Sequence, residues 1–136
     1  MNTIAIIGSG LFALTLTASM AFVGAAQAAD AYQPSVLVFN QKAGTGNATI
    51  TYAFIPKDGF VALYAGDPQT SKTLKPIGEA ALLAGDNRDL HVKLPSTAKA
   101  GEKLWAELRI GNVADLGASK PVMLNGEPVE QSFVLK

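Results

Sequence analysis

The chain has 136 residues, the length of one domain, and its 11 Lys and Arg residues balance its 11 Asp and Glu residues. The formal net charge is zero and the charges are dispersed along the chain, which excludes the clustered positive charge on which binding to nucleic acids and anionic membranes depends. The absence of cysteine excludes disulfides, thiolate metal sites, thiol nucleophiles and lipid attachment through a cysteine.

The N-terminal segment has the features of a secretory signal peptide. The stretch from Ile4 to Val23 is apolar apart from Ser, Thr and Gly, and it is followed by Ala26-Gln27-Ala28, a small-x-small sequence that a signal peptidase accepts. An uncleaved anchor is the alternative, since about 20 apolar residues can span a bilayer. The polar chain after Ala28 favours cleavage. We therefore predict a signal peptide over residues 1–28, a single domain over residues 29–136 and a periplasmic or secreted protein with no stable membrane insertion after cleavage.

The rest of the sequence alternates between apolar and polar residues, a period typical of β-strands. The predicted strands are Ser35–Asn40, Ala48–Ile55, Phe60–Tyr64, Arg88–Leu94, Glu102–Ile110, Val122–Leu124 and Phe133–Leu135. The segment Ile77–Leu83 fits either one helical turn or a short strand. Asn125-Gly126 predicts a tight hairpin turn, because both residues accept a positive φ. Pro128 predicts an edge strand, because proline has no N–H to donate to a neighbouring strand.

About seven or eight short strands, with turn sequences roughly every 8–12 residues, predict an all-β fold. We expect an antiparallel Greek-key or immunoglobulin-like β-sandwich. An open Greek-key barrel is the alternative, because periodicity alone does not separate the two architectures.

The alternation also predicts which side chains share a face of each strand. In the strand over residues 102–110, the residues expected to face the core are Leu104, Ala106, Leu108 and Ile110, and those expected on the opposite face are Lys103, Trp105, Glu107 and Arg109. In the strand over residues 48–55, one face is expected to hold Ile50, Tyr52 and Phe54, and the other Thr49, Thr51 and Ala53.

Trp105 is the candidate partner-binding residue. It is expected on the face opposite the core, where a tryptophan is exposed unless a loop, a ligand or a partner covers it, and tryptophan is enriched in binding hot spots. The alternative is that the loop over residues 95–101 or the loop over residues 111–121 folds over it. Phe60 and Tyr64 are candidates to share this surface.

No catalytic residue and no cofactor is predicted, because the one histidine has no nucleophile or orienting carboxylate arranged around it. That residue, His91, is expected to be an outward-facing strand residue, and ordinary turn chemistry explains the neighbouring Asp86 and Asp89. A loop-end metal site at Asp86, Asp89 and His91 is the alternative, since such side chains are common cation ligands.

Four landmarks follow one another from Asp58 onward. They are Asp58-Gly59-Phe60-Val61-Ala62-Leu63, then Pro76-Ile77-Gly78 with Leu82-Leu83-Ala84-Gly85, then Leu90-His91-Val92-Lys93-Leu94, and last Leu104-Trp105-Ala106-Glu107-Leu108. In this order and spacing they resemble a family of exported β-sandwich domains of unknown function, seen in haloarchaeal surface proteins and in bacteria. The resemblance implies a β-sandwich at the cell envelope, and it implies no activity and no site residues. The run Arg109–Asp115 departs from the His- and acid-rich stretch of archaeal members, so no ion-binding role is carried over.

These features predict a non-enzymatic exported binding module, or a structural or interaction module of the cell envelope, with an unknown protein or envelope component as its partner. Self-association is conceivable through edge strands near Val36 and Pro128. A periplasmic carrier of a metal or small ligand is the alternative, and a hydrolase is the least favoured function.

Overall fold

The computed structural model describes residues 33–136. The predicted signal peptide, residues 1–28, lies outside the described residues. The strands of the described part are β1 (Ser35–Leu37), β2 (Asn47–Ile55), β3 (Gly59–Tyr64), β4 (Gly78–Leu82), β5 (Gly85–Lys93), β6 (Lys103–Ile110), β7 (Lys120–Pro121), β8 (Met123–Leu124), β9 (Glu127–Pro128) and β10 (Glu130–Val134). A 3-10 turn spans Leu116–Ala118. No helix within residues 33–136 is both long and apolar enough to cross a membrane. The all-β prediction is confirmed.

The strands form two antiparallel sheets and a small hairpin. One sheet has the order β1-β2-β5, and the other has the order β10-β6-β3-β4 with β7 paired to β6, while β8 and β9 pair with each other. The chain changes sheet between β2 and β3, between β4 and β5, and between β5 and β6. This order matches strands A-B-E and G-F-C-C′ of immunoglobulin-type sandwiches, so the predicted architecture is confirmed. The ambiguous segment 77–83 is strand β4.

The hydrophobic core lies between the two sheets. The three-stranded sheet contributes Ile50, Ile55 and Val92, and the larger sheet contributes Val61, Leu63, Leu104, Leu108 and Phe133, all at 2% exposure or less. Each such side chain stabilises the fold by roughly 1.5–3 kcal/mol relative to an exposed position. Because Leu104, Ala106 and Leu108 are buried in this core and Ile110 packs against it, the predicted inner face of β6 is confirmed.

Strand β2 does not keep one alternation along its length. Ala53 and Ile55 are fully buried, as is Ile50, whereas Tyr52 and Phe54 are only half-buried. The prediction that Tyr52 and Phe54 share a face with Ile50 is therefore wrong. In the paired strand β5, the alternation of inward and outward residues also shifts by one position. The shift occurs at Asp89, whose φ of 51° is an uncommon conformation for a residue other than glycine.

The segment between β1 and β2 covers the outer edge of β10. Gln41 N donates to Val134 O at 3.0 Å, and Lys136 N donates back to Gln41 O at 2.8 Å. Pro128 lies in β9, which pairs on one side only, as predicted for an edge position. The edge of the sandwich next to the C-terminus is therefore already paired by the chain itself.

Candidate binding cleft

The outer face of the larger sheet, on the side away from the core, carries a second apolar cluster. Phe60, Ala62 and Tyr64 of β3 are buried there at 3% exposure or less, although they alternate with core residues. Leu74, from the segment after β3, and Leu116, from the 3-10 turn, pack against them. This sheet is therefore covered on both faces, which explains why all six residues of β3 are buried.

A buried ion pair lies next to this cluster on β6. Glu107 is 3% exposed, and its Oε1 accepts a hydrogen bond from Arg109 Nη1 at 2.7 Å. The guanidinium is held from the other side by Ser119, whose Oγ accepts from Nε at 2.8 Å and whose carbonyl accepts from Nη2 at 3.0 Å. The pairing of β7 with the end of β6 brings Ser119 to this position. At the start of β3, Gly59 leaves room for the Arg109 backbone, because a Cβ there would collide with the Arg109 carbonyl oxygen.

A cleft of about 510 Å³ opens above the ion pair. Its lining comes from β3, from the segment 65–77, from β6 and from residues 121–128: Tyr64, Pro68, Gln69, Ser71, Lys72, Leu74, Glu107, Arg109, Pro121, Met123 and Pro128. The volume falls in the range of roughly 300–1,000 Å³ that small-molecule sites occupy. The lining also combines apolar side chains with a few polar and charged groups, as is typical of such sites.

Glu107 lies at the floor of the cleft with one oxygen outside the ion pair. Within residues 33–136, Oε1 accepts from Arg109 Nη1 at 2.7 Å, and Oε2 is the oxygen that this contact does not use. The Glu107 side chain lines the cleft, although it is only 4% exposed. A carboxylate oxygen accepts hydrogen bonds only, so the floor offers an acceptor to a bound molecule.

The hydroxyl of Tyr64 is a neutral hydrogen-bonding group in this cleft. Burial raises the pKa of Tyr64 above its usual value of 10.0, and the charge of Glu107 raises it further, while Arg109 opposes the shift. A phenol with a raised pKa keeps its proton at neutral pH, so Tyr64 does not supply a phenolate nucleophile.

A second carboxyl group, Glu130 on β10, lies beside Glu107 across the strand pair. Its Oε1 accepts a hydrogen bond from Gln69 Nε2 at 2.9 Å, and within residues 33–136 its Oε2 is the buried side-chain polar atom without a partner. Burial, followed by the charge of Asp67, raises the pKa of Glu130 to about 7. The segment 65–77 is therefore tied to β10 through a carboxyl group that titrates near neutrality.

The candidate partner-binding residue, Trp105, is the cross-strand neighbour of Tyr64, which lines the cleft. It is half-buried, packs against the cluster of Phe60 and Tyr64, and pairs across the strands with Tyr64. The ammonium of Lys103 lies 5.3 Å from the centre of its ring. Phe60 and Tyr64 do share its surface, and Leu116 of the loop over residues 111–121 packs on the same cluster. Partner binding through Trp105 stays a prediction.

The structure does not gather the residues of the alternative metal site. Asp86, Asp89 and His91 are exposed on β5, where Asp86 Oδ1 accepts from the Tyr52 hydroxyl at 2.6 Å. Within residues 33–136, no group of three or more His, Cys, Asp and Glu side chains is placed to hold a metal ion. A loop-end metal site is therefore a prediction without a supporting cluster.

Sequence reasoning missed the ion pair as a site. It placed Glu107 and Arg109 on the face of β6 opposite the core and considered a covering loop there only for Trp105. The available signal was a glutamate and an arginine two positions apart on the same face as Trp105, because such side chains can pair there. The covering residues Leu74 and Ser119 come from irregular segments whose contacts periodicity does not predict.

Comparison with curated proteins and with solved structures found no match to the chain. A family model described as Domain of unknown function (DUF7282) matches residues 34–134. This match spans all of the strands from β1 to β10, and with them the cleft. The chain therefore belongs to the DUF7282 family.

Proposed function

We propose that the protein is a non-enzymatic exported binding module whose ligand site is the cleft above Glu107 and Arg109. The observation that carries this proposal is the largely buried ion pair at the floor of the cleft, which leaves one oxygen of Glu107 outside the pair. The predicted signal peptide and the resemblance to exported envelope domains support a role outside the cytoplasm.

A purely structural role explains the ion pair poorly. Replacing a buried ion pair by apolar side chains of similar volume is often neutral or stabilising, because both charges lose their hydration. The inner face of the same strand is stabilised by aliphatic side chains alone. Glu107 and Arg109 are therefore better explained by recognition than by stability.

The charges and surfaces of the cleft favour a small polar ligand. Glu107 and Arg109 neutralise each other, and Lys72 adds one positive charge at the wall. Leu74, Met123 and three prolines add apolar contact surface. We infer a neutral or singly anionic molecule whose hydroxyl or amine group donates to Glu107 Oε2.

The groups at the floor support binding rather than catalysis. Arg109 is already engaged by Glu107 and by both Ser119 atoms, so its charge is largely compensated. Tyr64 keeps its proton, and Glu107 Oε1 is engaged by Arg109 Nη1. These groups can orient a ligand through hydrogen bonds without exchanging protons with it.

An NMR titration of the purified protein tests this site. The probes are panels of neutral monosaccharides, uronic acids and amino acids, and we expect at least one panel to shift the resonances of Arg109, Gln69 and Met123. The variant E107Q replaces the carboxylate acceptor by an amide of the same size, and it should weaken binding about tenfold or more, since a hydrogen bond to a charged group contributes about 1.5–3 kcal/mol. The matched control D86N makes the same change of a carboxylate on β5 and should leave binding unchanged.

Two results would contradict the proposal. One is that no panel shifts the cleft resonances. The other is that E107Q and D86N bind every probe as tightly as the wild-type protein. Shifts confined to Trp105 and its neighbours would instead favour a protein-interaction surface.

A further inference from the structure

The segment 65–77, which forms one wall of the cleft, is joined to β10 through two carboxyl groups. Gln69 lies between them: its side-chain Nε2 donates to Glu130 Oε1 at 2.9 Å, and its backbone N donates to Asp67 Oδ1 at 2.9 Å. Asp67 O also accepts from Thr70 N at 3.2 Å, which closes the turn that follows Asp67. Gln69 therefore places Asp67 next to Glu130.

The two carboxyl groups cannot both be ionised without leaving an atom unsatisfied. Glu130 Oε2 is buried and has no hydrogen-bond partner in the described part of the chain. As a carboxylate oxygen it can only accept, and the neighbouring Asp67 carboxylate offers no donor. A proton on Glu130 makes the group a donor, and a carboxyl–carboxylate hydrogen bond to Asp67 then becomes possible.

The charges around Glu130 favour this shared proton. Asp67 faces it from the segment 65–77, and Glu107 faces it from β6 with its charge partly compensated by Arg109. The neutral Gln69 favours the ionised form of Glu130 through its hydrogen bond. Burial and the charges of the two carboxylates outweigh this effect and raise the pKa of Glu130 to about 7.

We propose that Glu130 and Asp67 form a proton-dependent latch, which holds residues 67–72 against β10 when the pair shares a proton and releases them when both groups are charged. Pro68, Gln69, Ser71 and Lys72 line the cleft, so release of this segment opens one wall of the site. Leu74 stays packed on the apolar cluster of β3, so the opening ends before that residue. The effect on ligand entry rests on the binding function proposed above, whereas the latch itself does not.

The latch can be tested on the purified protein without any ligand. We would follow the side-chain carboxyl ¹³C shifts of Glu130 and Asp67, and the ¹⁵N relaxation of residues 67–72, from pH 5 to pH 9. The expected result is a carboxyl transition near pH 7 with an increase in mobility of these residues at the same midpoint.

Two variants separate the latch from general effects of pH. In E130Q the amide donates permanently to Asp67 while its oxygen still accepts from Gln69, so residues 67–72 should stay ordered up to pH 9. In D67N the carboxylate that opposes Glu130 is removed while an oxygen for Gln69 N remains, so the Glu130 transition should move at least one pH unit lower. Leu74 serves as the internal control, because its relaxation should not change with pH.

Three results would overturn the latch. They are a Glu130 transition at its ordinary value near 4.5, mobility of residues 67–72 that does not change between pH 5 and pH 9, and the same pH-dependent mobility in E130Q as in the wild-type protein. A working latch together with no binding of any probe would overturn the proposed function and leave the latch standing.

Discussion

The two faces of the larger sheet are buried in different ways. Its inner face packs aliphatic side chains and Phe133 against the smaller sheet, and most of these core side chains come from regular strands. Its outer face buries Phe60 and Tyr64 under irregular segments, and it also buries Glu107, which pairs with the partly buried Arg109. The inner face therefore accounts for the stability of the fold. The outer face contains the features that a stable sandwich does not need, and it is there that we place function.

Of the variants that test the contrast between the two faces, the largest loss of stability is expected for one on the inner face. Phe133 is 2% exposed in the core, so Phe133→Ala should lower the free energy of unfolding by about 3–5 kcal/mol. Urea denaturation with an unchanged dependence on denaturant checks this value. The matched control Leu37→Ala, at a site 40% exposed, should cost less than about 0.5 kcal/mol. A loss below about 1 kcal/mol for Phe133→Ala would show that the core lies elsewhere.

The next effect concerns the ion pair of the outer face. Arg109→Met leaves Glu107 buried without its partner and should cost about 3 kcal/mol in urea denaturation. The double variant E107L/R109M removes both charges and should return to within about 1 kcal/mol of the wild-type protein. If the double variant is as unstable as Arg109→Met, the pair is a structural requirement and the contrast between the faces fails.

A smaller effect is expected at the residue that holds the guanidinium. Ser119 Oγ accepts from Arg109 Nε and donates to Leu116 O at 2.6 Å, so Ser119→Ala removes two hydrogen bonds. We expect a loss of about 1–2 kcal/mol in stability, measured by thermal unfolding. The ligand affinity should fall as well, because Arg109 is then less firmly positioned. A fall in stability without any change in ligand affinity would show that Ser119 supports the fold and does not contribute to ligand binding.

The smallest effect is a pH dependence of stability. The pKa of Glu130 is about 7 in the folded protein against an ordinary value of 4.5, so the folded state holds this proton more tightly than the unfolded state. The resulting stabilisation is full below pH 4.5 and is lost as the pH rises through about 7. Because Glu130 is only partly buried, solvent screens its charge, and we expect a change on the order of 1 kcal/mol. In urea denaturation at pH 5, 7 and 9, the variant E130Q should lose less stability with rising pH than the wild-type protein. If E130Q loses as much, the pH dependence of stability belongs to another group.

The inner face could be predicted from the sequence, and the outer face could not. Strict alternation from Leu104 to Ile110 identified the core side of β6, because a strand residue faces the same way as the residue two positions away. Periodicity does not say what covers the other side. The contacts of Glu130 with Gln69 and of Arg109 with Ser119 depend on irregular segments, so neither site feature followed from the pattern.

Two further differences from the sequence prediction have local causes. The segment 77–83 is too short and too apolar for periodicity to separate a strand from a helical turn. The change of phase in β2 and β5 occurs where Asp89 takes a left-handed conformation, for which an aspartate, unlike a glycine, gives only a weak signal. In both cases the pairing with neighbouring strands decides the structure.

Native mass spectrometry of the protein purified without chelator tests the central claim most directly. We predict that the wild-type chain carries one small organic molecule, and that the stable double variant E107L/R109M has lost it. A wild-type chain that carries no molecule, a metal ion as the bound mass, or the same molecule on the double variant would contradict binding in the cleft.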